Sequence, residues 1–340
     1  MKVIVTGGTG YIGSHTIVDL MENGFEVVCL DNLSRSKEYS LTGIEKITGK
    51  KPTFYNIDLC NKESTLEIIE QHKDAVGIIH FAALKSVPES VEKPLLYYAN
   101  NIDSLLNILM AIKMYNIPNF VFSSSCSVYG NADELPVTES TPIKEAESPY
   151  AHTKQIGEDI IRNFSKVNTA RHILLRYFNP IGAHPSALIG EIPIDKPNNL
   201  APYITQTAIG KLEQLTVFGN DYPTRDGSCV RDYIHVCDIA HAHTLALQYL
   251  IDKKNESNLE VFNLGTGTGV SVLEAIAAFE KVSGQKLNYT IGARRAGDVV
   301  AVYADNTKAA AKLHWTCKYN LEDAMLSAWN WELKMQELGM

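Results

Sequence analysis

Apolar positions in the first half of the chain alternate between short runs and longer amphipathic runs. The short runs, rich in β-branched and aromatic residues, occupy residues 2–6, 26–30, 53–57, 77–81, 119–123 and 172–178. Between them, apolar positions recur at the spacing of a helix with one buried face. Strands that alternate with helices favour a parallel sheet covered by helices on both faces. We therefore expect an α/β fold built on a doubly wound parallel sheet.

The second half of the chain continues the mixed pattern. A strand is predicted at 260–264, and helices are predicted at 238–250, 270–282 and 321–334. No linker or low-complexity segment divides the chain. We expect a smaller α/β lobe from Asn179 onward, with residues 233–264 returning to the large sheet.

A glycine-rich turn separates the first predicted strand from the first predicted helix, at about residues 12–23. Gly7, Gly10 and Gly13 stand in G-G-T-G-Y-I-G. Glycines let a backbone approach a diphosphate, and the N–H groups at a helix N-terminus bind it. In this context the turn predicts a Rossmann-type dinucleotide site rather than a tight turn without a ligand.

Asp31 follows the second predicted strand. A carboxylate there accepts hydrogen bonds from the adenosine ribose and repels a 2′-phosphate, so it favours NAD over NADP. Arg35 argues in the opposite direction, because its charge could neutralise that phosphate.

Three further polar residues each allow two interpretations. Asp58 either caps the next helix or meets the adenine edge. Lys85, after the small residues of F-A-A-L-K, either faces phosphates or extends from a solvated loop. Asn100 either contacts the cofactor or is an ordinary buried amide.

Hydroxyl groups follow the fifth predicted strand at 123–125, and S-P-Y-A-H-T-K begins the next helix. Hydroxyls at the carboxyl end of a parallel strand lie where open α/β sheets bind ligands. Ser148 suits an N-cap and Pro149 suits a first helical turn, so Tyr150 and Lys154 should lie one turn apart on one helix face. A phenol beside an ammonium can act as an acid–base pair.

Tyr150 can act near neutral pH only if its pKa lies well below the ordinary value of about 10. A cation about 4 Å away at an effective dielectric of ~20 contributes ~4 kcal/mol, which limits the shift to about three units. We expect Lys154, helped by a positively charged cofactor ring, to lower this pKa. Spacing alone is weak, because Tyr249 and Lys253 share it at the end of another predicted helix.

Composition narrows the possible partners. The chain has 340 residues, 45% apolar, with a net charge of −8 and no basic run, which argues against a nucleic-acid partner. No apolar run approaches the ~20 residues of a membrane span, and the N-terminus enters a strand pattern without a signal peptide. The six cysteines form no C-x-x-C pair. We expect a cytoplasmic protein with no membrane partner.

Several potential metal ligands crowd together near the start of the helix at 238–250. Cys237 and His241 have i, i+4 spacing, with His235 and His243 nearby. We expect packing and capping here, with Asp238 starting the helix, and no metal.

Four motifs stand in order: T-G-G-T-G-Y-I-G, F-S-S-S-C-S-V-Y-G, S-P-Y-A-H-T-K and R-Y-F-N-P-I-G. With N-N-L-A-P-Y-I, V-F-G-N-D-Y-P-T-R-D-G-S-C-V-R-D-Y-I-H-V and R-R-A-G-D, the set resembles the extended short-chain dehydrogenase/reductase superfamily and, within it, the UDP-glucose 4-epimerase family. The resemblance covers essentially the whole chain. It implies an NAD-dependent isomerase that interconverts UDP-galactose and UDP-glucose through a 4-keto intermediate. Residues 1–178, with the return segment 233–264, would bind NAD, and residues 179–340 would bind the UDP-hexose.

The resemblance also implies roles for individual residues. Ser125 would hydrogen-bond the sugar 4-hydroxyl, Tyr150 would take its proton, and Lys154 would hold the nicotinamide ribose and lower the pKa of Tyr150. Further cofactor contacts are implied at Gly7, Gly10, Tyr11, Ile12, Gly13, Asp31, Asn32, Ser34, Arg35, Ser36, Asp58, Leu59, Phe81, Ala82, Ala83, Lys85, Asn100, Tyr177 and Phe178. Further substrate contacts are implied at Lys85, Phe178, Asn179, Asn199, Leu200, Phe218, Arg231, Arg295, Asp298 and Val302.

Different functions remain open within and outside this superfamily. Related 4,6-dehydratases carry an acidic pair just before V-Y-G, where this chain has Ser125-Cys126-Ser127. That loop favours epimerisation over dehydration. A uronate 4-epimerase and a non-catalytic NAD-binding sensor are also possible, and the intact Ser125, Tyr150 and Lys154 argue against the sensor.

One position bears on substrate range. Family members restricted to glucose and galactose carry Tyr four residues after the Asp of R-R-x-G-D, a place that Val302 holds here. A smaller side chain leaves space at sugar C2. We expect UDP-GalNAc and UDP-GlcNAc to be accepted as well.

The helix predicted at 94–115 is apolar on more than one side. One face can pack on the sheet, and the other then requires a second packing surface. We expect a homodimer through this helix and the helix at 149–167.

Overall fold

Strands and helices alternate along the chain. The computed structural model describes residues 1–193, 197, 199–295 and 299–340, and all elements below lie within them. The first half contains β1 (Lys2–Thr6), α1 (Tyr11–Glu22), β2 (Glu26–Asp31), α2 (Tyr39–Thr48), β3 (Thr53–Asn56), α3 (Lys62–Gln71), β4 (Gly77–His80), α4 (Val87–Glu92), α5 (Pro94–Tyr115), β5 (Asn119–Ser123), a 3-10 helix (Cys126–Tyr129), α6 (Pro149–Ser165) and β6 (Arg171–Tyr177). The second half contains β7 (Asn179–Ile181), α7 (Leu200–Ala208), β8 (Leu215–Phe218), β9 (Val230–Arg231), β10 (Tyr233–His235), α8 (Val236–Ile251), β11 (Leu259–Leu264), β12 (Val270–Ser271), α9 (Val272–Ser283), β13 (Tyr289–Gly292), β14 (Ala301–Val302), α10 (Thr307–Leu313) and α11 (Leu321–Glu337).

A seven-stranded parallel sheet forms the centre of the molecule, in the order β3, β2, β1, β4, β5, β6, β11. The order reverses between β1 and β4, so the connections after these two strands run to opposite faces. Such a reversal leaves a crevice at the carboxyl edge, where sheets of this kind bind ligands. The predicted α/β class with a Rossmann-type doubly wound sheet is confirmed.

Both faces of the sheet are buried. On β1, Val3 and Val5 face a core that includes Leu247 of α8, whereas Ile4 faces a second core that includes Ile108 of α5. A strand buried on both faces has apolar residues at consecutive positions rather than at alternate ones. This is why the central strands were readable from the sequence to within about a residue at most ends.

The return segment enters the large sheet through α8, which packs on α1, and β11, which pairs with β6. The prediction that Asp238 starts this helix was wrong. His235 is the N-cap, with Nδ1 accepting from the Cys237 N–H at 3.1 Å. Asp238 instead accepts from the backbone N–H groups of Lys318 and Tyr319. Within the described ranges, no group of three or more His, Cys, Asp or Glu side chains could hold a metal ion.

Several of the remaining elements surround a separate core. Ile204 of α7, Phe279 of α9 and Met325 of α11 pack together in it. Short strand pairs border this core, β8 with β13 and β9 with β12 and β14. We propose the boundary of the smaller lobe at Asn179. Here the chain leaves the large sheet after β6, and β7 pairs with β10 outside that sheet.

α5 is apolar on two sides, as its sequence predicts. Ile108 and Tyr97 are buried, whereas Leu95, Met110 and Met114 are exposed. The neighbouring helix predicted at 149–167 ends at residue 165. Among the described residues, no helix is both long and apolar enough to cross a bilayer.

Candidate active site

The first turn of α6 presents the tyrosine and lysine of the S-P-Y-A-H-T-K motif. Ser148 is the N-cap, with Oγ accepting from the Ala151 N–H at 3.2 Å, and Pro149 occupies the first turn. Tyr150 and Lys154 follow one turn apart, and both are buried. The capping residues therefore fix where the helix begins and, with it, the direction of both side chains.

The end of β5 meets this helix. Lys154 Nζ donates to the Ser123 carbonyl at 2.8 Å, and Ser123 Oγ lies 2.8 Å from Tyr177 Oη. Ser125 Oγ accepts from the Ser127 N–H at 3.2 Å and also interacts with Tyr150. The structure thus brings Ser125, Tyr150 and Lys154 together at the carboxyl edge of the sheet.

Burial dominates the electrostatics of this group. Burial raises the pKa of Tyr150, and the hydrogen bond with Ser125 opposes that rise only in part. Burial also lowers the pKa of Lys154 to about 8, against the attraction of the Glu158 carboxylate. The lowering of this pKa by Lys154 and a positively charged cofactor ring stays a prediction, because in the free protein burial outweighs the groups that lower the pKa of Tyr150. The Lys154 ammonium donates to the Ser123 carbonyl.

The glycine turn forms a cradle whose backbone segments pack too closely for side chains at Gly7 or Gly13. Gly7 has φ +67°, and a Cβ there would lie 2.7 Å from the Ala82 nitrogen. A Cβ at Gly13 would lie 2.3 Å from the Gly7 carbonyl oxygen. Gly10, the N-cap of α1, supplies no side-chain cap, so the first N–H groups of this helix retain their capacity to bind an anion.

Asp31 lies beside this turn at the end of β2. Its carboxylate accepts from the N–H groups of Thr9 and Leu33, at 3.1 and 2.9 Å. Arg35 donates to both oxygens of Glu89, at 2.7 and 2.8 Å. Because Glu89 pairs the Arg35 charge, this arginine is a weak argument for a 2′-phosphate.

Asn32, Ser34 and Ser36 continue the same loop. Asn32 Oδ1 accepts from the Ser34 N–H at 3.0 Å. Ser36 Oγ donates to Asp31 at 3.3 Å and lies 2.6 Å from Thr9 Oγ1. The candidate ribose-binding loop is therefore tied to the glycine turn by side chains.

Asp58 does not cap α3. Its carboxylate accepts from the Cys60 N–H at 2.9 Å, and the cap is Asn61, which accepts from the Ser64 N–H at 3.0 Å. The capping interpretation was therefore wrong. Leu59 between them is buried.

Lys85 is largely exposed but forms an ion pair. Its Nζ donates to Glu191 at 2.9 Å, and Glu191 also accepts from Asn199 Nδ2 at 3.0 Å. The Lys85 ammonium lies 5.8 Å from the centre of the Tyr11 ring. This carboxylate thus joins the loop after β4 to the N-cap residue of α7.

Asn101, next to the predicted Asn100, is a buried amide of α5. Its Oδ1 accepts from the Leu84 N–H at 2.8 Å, and its Nδ2 donates to the Leu84 carbonyl and to Thr153 Oγ1. Asn100 Nδ2 donates to Asn101 Oδ1 at 3.0 Å. The sequence alone could not show which of these two asparagines is buried, because they differ only in the direction that each faces on the helix.

The candidate cofactor residues collect at one edge of the sheet because each group follows a parallel strand. They are Tyr11, Ile12 and the glycines after β1, Asp31 to Ser36 after β2, Asp58 and Leu59 after β3, Phe81 to Lys85 after β4, Ser125 after β5, and Tyr177 and Phe178 at the end of β6. Phe81 packs 4.5 Å from the His243 ring, and the Ala82 N–H donates to Thr6 Oγ1 at 3.5 Å. Ala83 is half-buried.

Most of the candidate substrate residues come from the smaller lobe. Arg231 on β9 is the register partner of Val302 on β14, and Val302 packs against the cluster that contains Phe178. The Arg295 guanidinium lies 5.5 Å from the centre of the Phe218 ring. These contacts place two arginines and one aromatic ring on the same lobe.

The other candidate substrate residues lie at element starts. Asn179 begins β7, and its N–H donates to the Asp232 carbonyl at 2.9 Å. Asn199 is the N-cap of α7 and Leu200 its first residue. Asp298 lies outside the described residues.

Cys126 occupies the place where a dehydratase would carry an acid. Burial and the nearby Asp232 carboxylate raise the pKa of its thiol to about 12. The side chain is a neutral thiol at physiological pH. It can neither donate nor accept a proton as readily as a carboxyl group.

The second Tyr-x-x-x-Lys pair differs from the first. Tyr249 is buried within α8, whereas Lys253 lies beyond the end of that helix with φ +56°. The two side chains do not share a helix face, so identical spacing gives no second site.

Comparison with known proteins agrees with this geometry. The family profile described as GDP-mannose 4,6 dehydratase matches residues 4–327. UDP-glucose 4-epimerase from Bacillus subtilis (strain 168) is 48% identical over 333 residues, covering 98% of this chain and 97% of that protein. A crystal structure of UDP-glucose-4-epimerase from Stenotrophomonas maltophila with bound NAD and formylated UDP-arabinopyranose is 43% identical, with a TM-score of 0.96 over 99% of both chains. The structure of the UDP-Glc/GlcNAc 4-epimerase from Campylobacter jejuni is 36% identical, with a TM-score of 0.85, and covers 98% of this chain and 99% of that chain. The chain therefore belongs to the broad family that the profile describes and, within it, to the UDP-glucose 4-epimerases.

Proposed function

We propose that this protein interconverts UDP-galactose and UDP-glucose through a 4-keto intermediate, with NAD as a resident cofactor. The observation that carries the proposal is the grouping of Ser125, Tyr150 and Lys154 at the sheet edge that also carries the glycine turn. The relatives support it, since they are UDP-glucose 4-epimerases and one was crystallised with NAD and a UDP-sugar.

The residues at the sheet edge fit a dinucleotide. A Cβ at Gly7 or Gly13 would collide with neighbouring backbone and distort the cradle, and the Asp31 carboxylate is held beside it by backbone N–H groups. Bound NAD supplies the hydride acceptor and donor for sugar C4, and its positive ring favours a nearby phenolate. The chain's own residues supply position and proton transfer.

Tyr150 takes the proton of the sugar 4-hydroxyl and later returns it, while Ser125 Oγ hydrogen-bonds the same oxygen. Lys154 holds the nicotinamide ribose. Because burial raises the pKa of Tyr150, the phenolate needs positive charge beyond what the free protein provides. Proton transfer is therefore coupled to cofactor binding.

Epimerisation requires a sugar that can turn over while the nucleotide stays bound. Binding energy should then lie on the UDP, through Asn179, Asn199, Leu200, Phe218, Arg231 and Arg295. Asp298 is included in this set only because it belongs to the R-R-A-G-D motif. The neutral Cys126 thiol disfavours dehydration, since it cannot serve as the acid.

Substrate range depends on Val302. This short side chain packs beside the Phe178 cluster and is the register partner of Arg231. We expect it to leave space for an N-acetyl group at sugar C2. The Campylobacter jejuni relative, a UDP-Glc/GlcNAc 4-epimerase, is an example of such a range within the family.

The assembly that fits the surface is a homodimer through α5 and α6. Leu95, Met110 and Met114 form an exposed apolar face on α5. Covering that face requires a partner with a matching apolar surface, which a second copy supplies.

The cytoplasm is the compartment that fits the chemistry of the thiols. All six cysteines are free. Free thiols persist where the surroundings are reducing.

Incubation with UDP-galactose, without added NAD, tests the proposal. We expect UDP-glucose to form and the purified protein to carry nucleotide already. Two controls address the alternative enzymes: UDP-glucuronate is tested as a substrate, and the products are analysed for 4-keto-6-deoxy sugars. Formation of a 4-keto-6-deoxy product, or no conversion by protein that retains NAD, would overturn the proposal.

A further inference from the structure

A buried ion pair lies directly beneath the candidate active site. Arg176 of β6 and Glu158 of α6 are 2% and 1% exposed. Arg176 Nε donates to Glu158 Oε1 at 2.8 Å, and an Arg176 terminal nitrogen donates to the other oxygen. The pair is bidentate, the geometry that best offsets the cost of removing two charges from water.

The Glu158 carboxylate also holds the segment after β5. Ser124 Oγ donates to Glu158 Oε1 at 2.6 Å. Ser124 lies between Ser123, whose carbonyl accepts from Lys154, and Ser125, which interacts with Tyr150. One carboxylate therefore fixes a segment that supplies a contact to each of the two candidate catalytic side chains of α6.

Glu158 also lies one turn after Lys154 on α6. Burial lowers the pKa of Lys154 to about 8, and the Glu158 charge opposes this. The group around Lys154 includes His80 and Glu158, which interact with its charge, and Tyr150 on the same helix. It also includes Tyr177, which is hydrogen-bonded to Ser123, and Arg176, which is paired with Glu158. Burial lowers the pKa of His80 to about 3 and raises that of Tyr177 to about 12, so both are neutral near pH 7. Glu158 and Arg176 are the charged members of this group besides Lys154.

Arg176 connects the pair to the next strand. Its guanidinium lies 4.8 Å from the centre of the Tyr129 ring, and Tyr129 Oη donates to Asn263 Oδ1 at 2.6 Å. Asn263 belongs to β11. Arg176, the partner of the Glu158 carboxylate, is therefore itself held by Tyr129, which is bonded to β11.

We propose that Glu158 and Arg176 are a positioning pair for the active site, holding the Ser123–Ser125 segment against α6 and balancing the charge beside Lys154. Its expected effect on turnover rests on the proposed function. Its expected effect on the pKa of Lys154 concerns the protein alone. Neither residue is assigned a contact with substrate or cofactor.

The test compares two single substitutions that leave opposite charges. Glu158→Gln removes the carboxylate charge that raises the pKa of Lys154, so that pKa should fall by about one unit. Arg176→Met leaves the carboxylate unpaired, so that pKa should rise. The pKa is measured by NMR titration of the Lys154 ε-methylene signal, identified by its loss in Lys154→Met. A merely structural role would not give shifts of opposite sign.

Kinetics supply the second readout. With UDP-galactose, Glu158→Gln should lower kcat by about tenfold or more while KM and retained NAD stay near wild type, because the pair orients reacting groups rather than the nucleotide. Arg176→Lys, which keeps the positive charge, should lower kcat less than Arg176→Met does. Ser124→Ala removes the hydrogen bond without leaving a charge and should also lower kcat more than KM, which keeps the test available if the charge variants do not fold.

Glu332→Gln is the matched control. Glu332 is another buried carboxylate, bonded to Thr205 and Lys211 in the smaller lobe. This control should lose stability without changing kcat or the pKa of Lys154. Wild-type kcat and Lys154 pKa in Glu158→Gln, or shifts of the same sign in Glu158→Gln and Arg176→Met, would overturn the positioning pair. An inactive wild type would refute the epimerase proposal, while the NMR titration would still decide the pair.

Discussion

At the scale of single residues, burial rather than spacing sets the chemistry of Tyr150 and Lys154. Their place on one helix face could be predicted from Ser148 and Pro149, because caps act locally. Their pKa values could not, since the desolvation of Tyr150 depends on Leu84 and Tyr97, which are distant in sequence. Glu158 was missed for the same reason: its i+4 relation to Lys154 was visible, but its partner Arg176 comes from a different element, β6.

Lys154 should give the reaction an alkaline limit. Its pKa in the free protein is about 8, so the ammonium is present below that pH and is lost as the pH rises through it. We expect kcat/KM for UDP-galactose to fall above about pH 8. Lys154→Arg, whose side chain stays charged, should be slower but should not show this fall at alkaline pH. If the fall is unchanged in that variant, another group causes it.

Val302 should control acceptance of N-acetylhexosamines. Val302→Tyr should lower kcat/KM for UDP-GalNAc by about 10- to 200-fold while retaining activity on UDP-galactose, because a larger ring fills the space at C2. Val302→Ala is the control and should accept both sugars. If wild type and Val302→Ala both fail on UDP-GlcNAc yet turn over UDP-galactose, Val302 does not set the range.

At the scale of elements, the glycine turn and α1 form as the sequence predicts because the steric demands are local. Asn61 and Asn101 were missed as anchoring residues, since each binds a backbone group whose position depends on the packed elements. For α8, capping was expected in the right cluster, but the cap is His235 and not Asp238. Lys85 was open to two interpretations for a related reason: its partner Glu191 lies more than a hundred residues away in sequence.

Gly13→Ala tests the cradle. Its Cβ would lie 2.3 Å from the Gly7 carbonyl oxygen, so the turn must move and retained NAD should be lost, with a cost of about 1–3 kcal/mol in stability. Gly24→Ala is the control. It has φ +83° in open space, so it should cost about 1–2 kcal/mol but keep NAD. Equal NAD retention by the two variants would contradict the cradle.

At the scale of the whole molecule, the large sheet was predictable and the shortest strands, most of them in the smaller lobe, were not. Strands of four or more residues buried on both faces leave a readable run, whereas β7, β9, β10, β12 and β14 have two or three residues each and leave no period. The strand order brings residues from six strand ends to one edge. This is why motifs scattered over the first half of the chain form a single site.

Leu95→Glu tests the homodimer. Leu95 is 81% exposed on α5, and a buried charge at a subunit interface is costly. We expect the variant to sediment as a monomer while the wild type sediments as a dimer. Leu326→Glu on α11, where the leucine is 41% exposed, should remain dimeric. A monomeric wild type would contradict the proposed interface.

Hydrogen should leave sugar C4 and return to the same carbon without passing through water, because bound NAD holds it between the two steps. UDP-galactose that carries deuterium at C4, incubated with the protein in ordinary water, tests this directly. We expect UDP-glucose with the deuterium still at C4, whereas replacement of the label by solvent hydrogen would contradict transfer through a resident NAD.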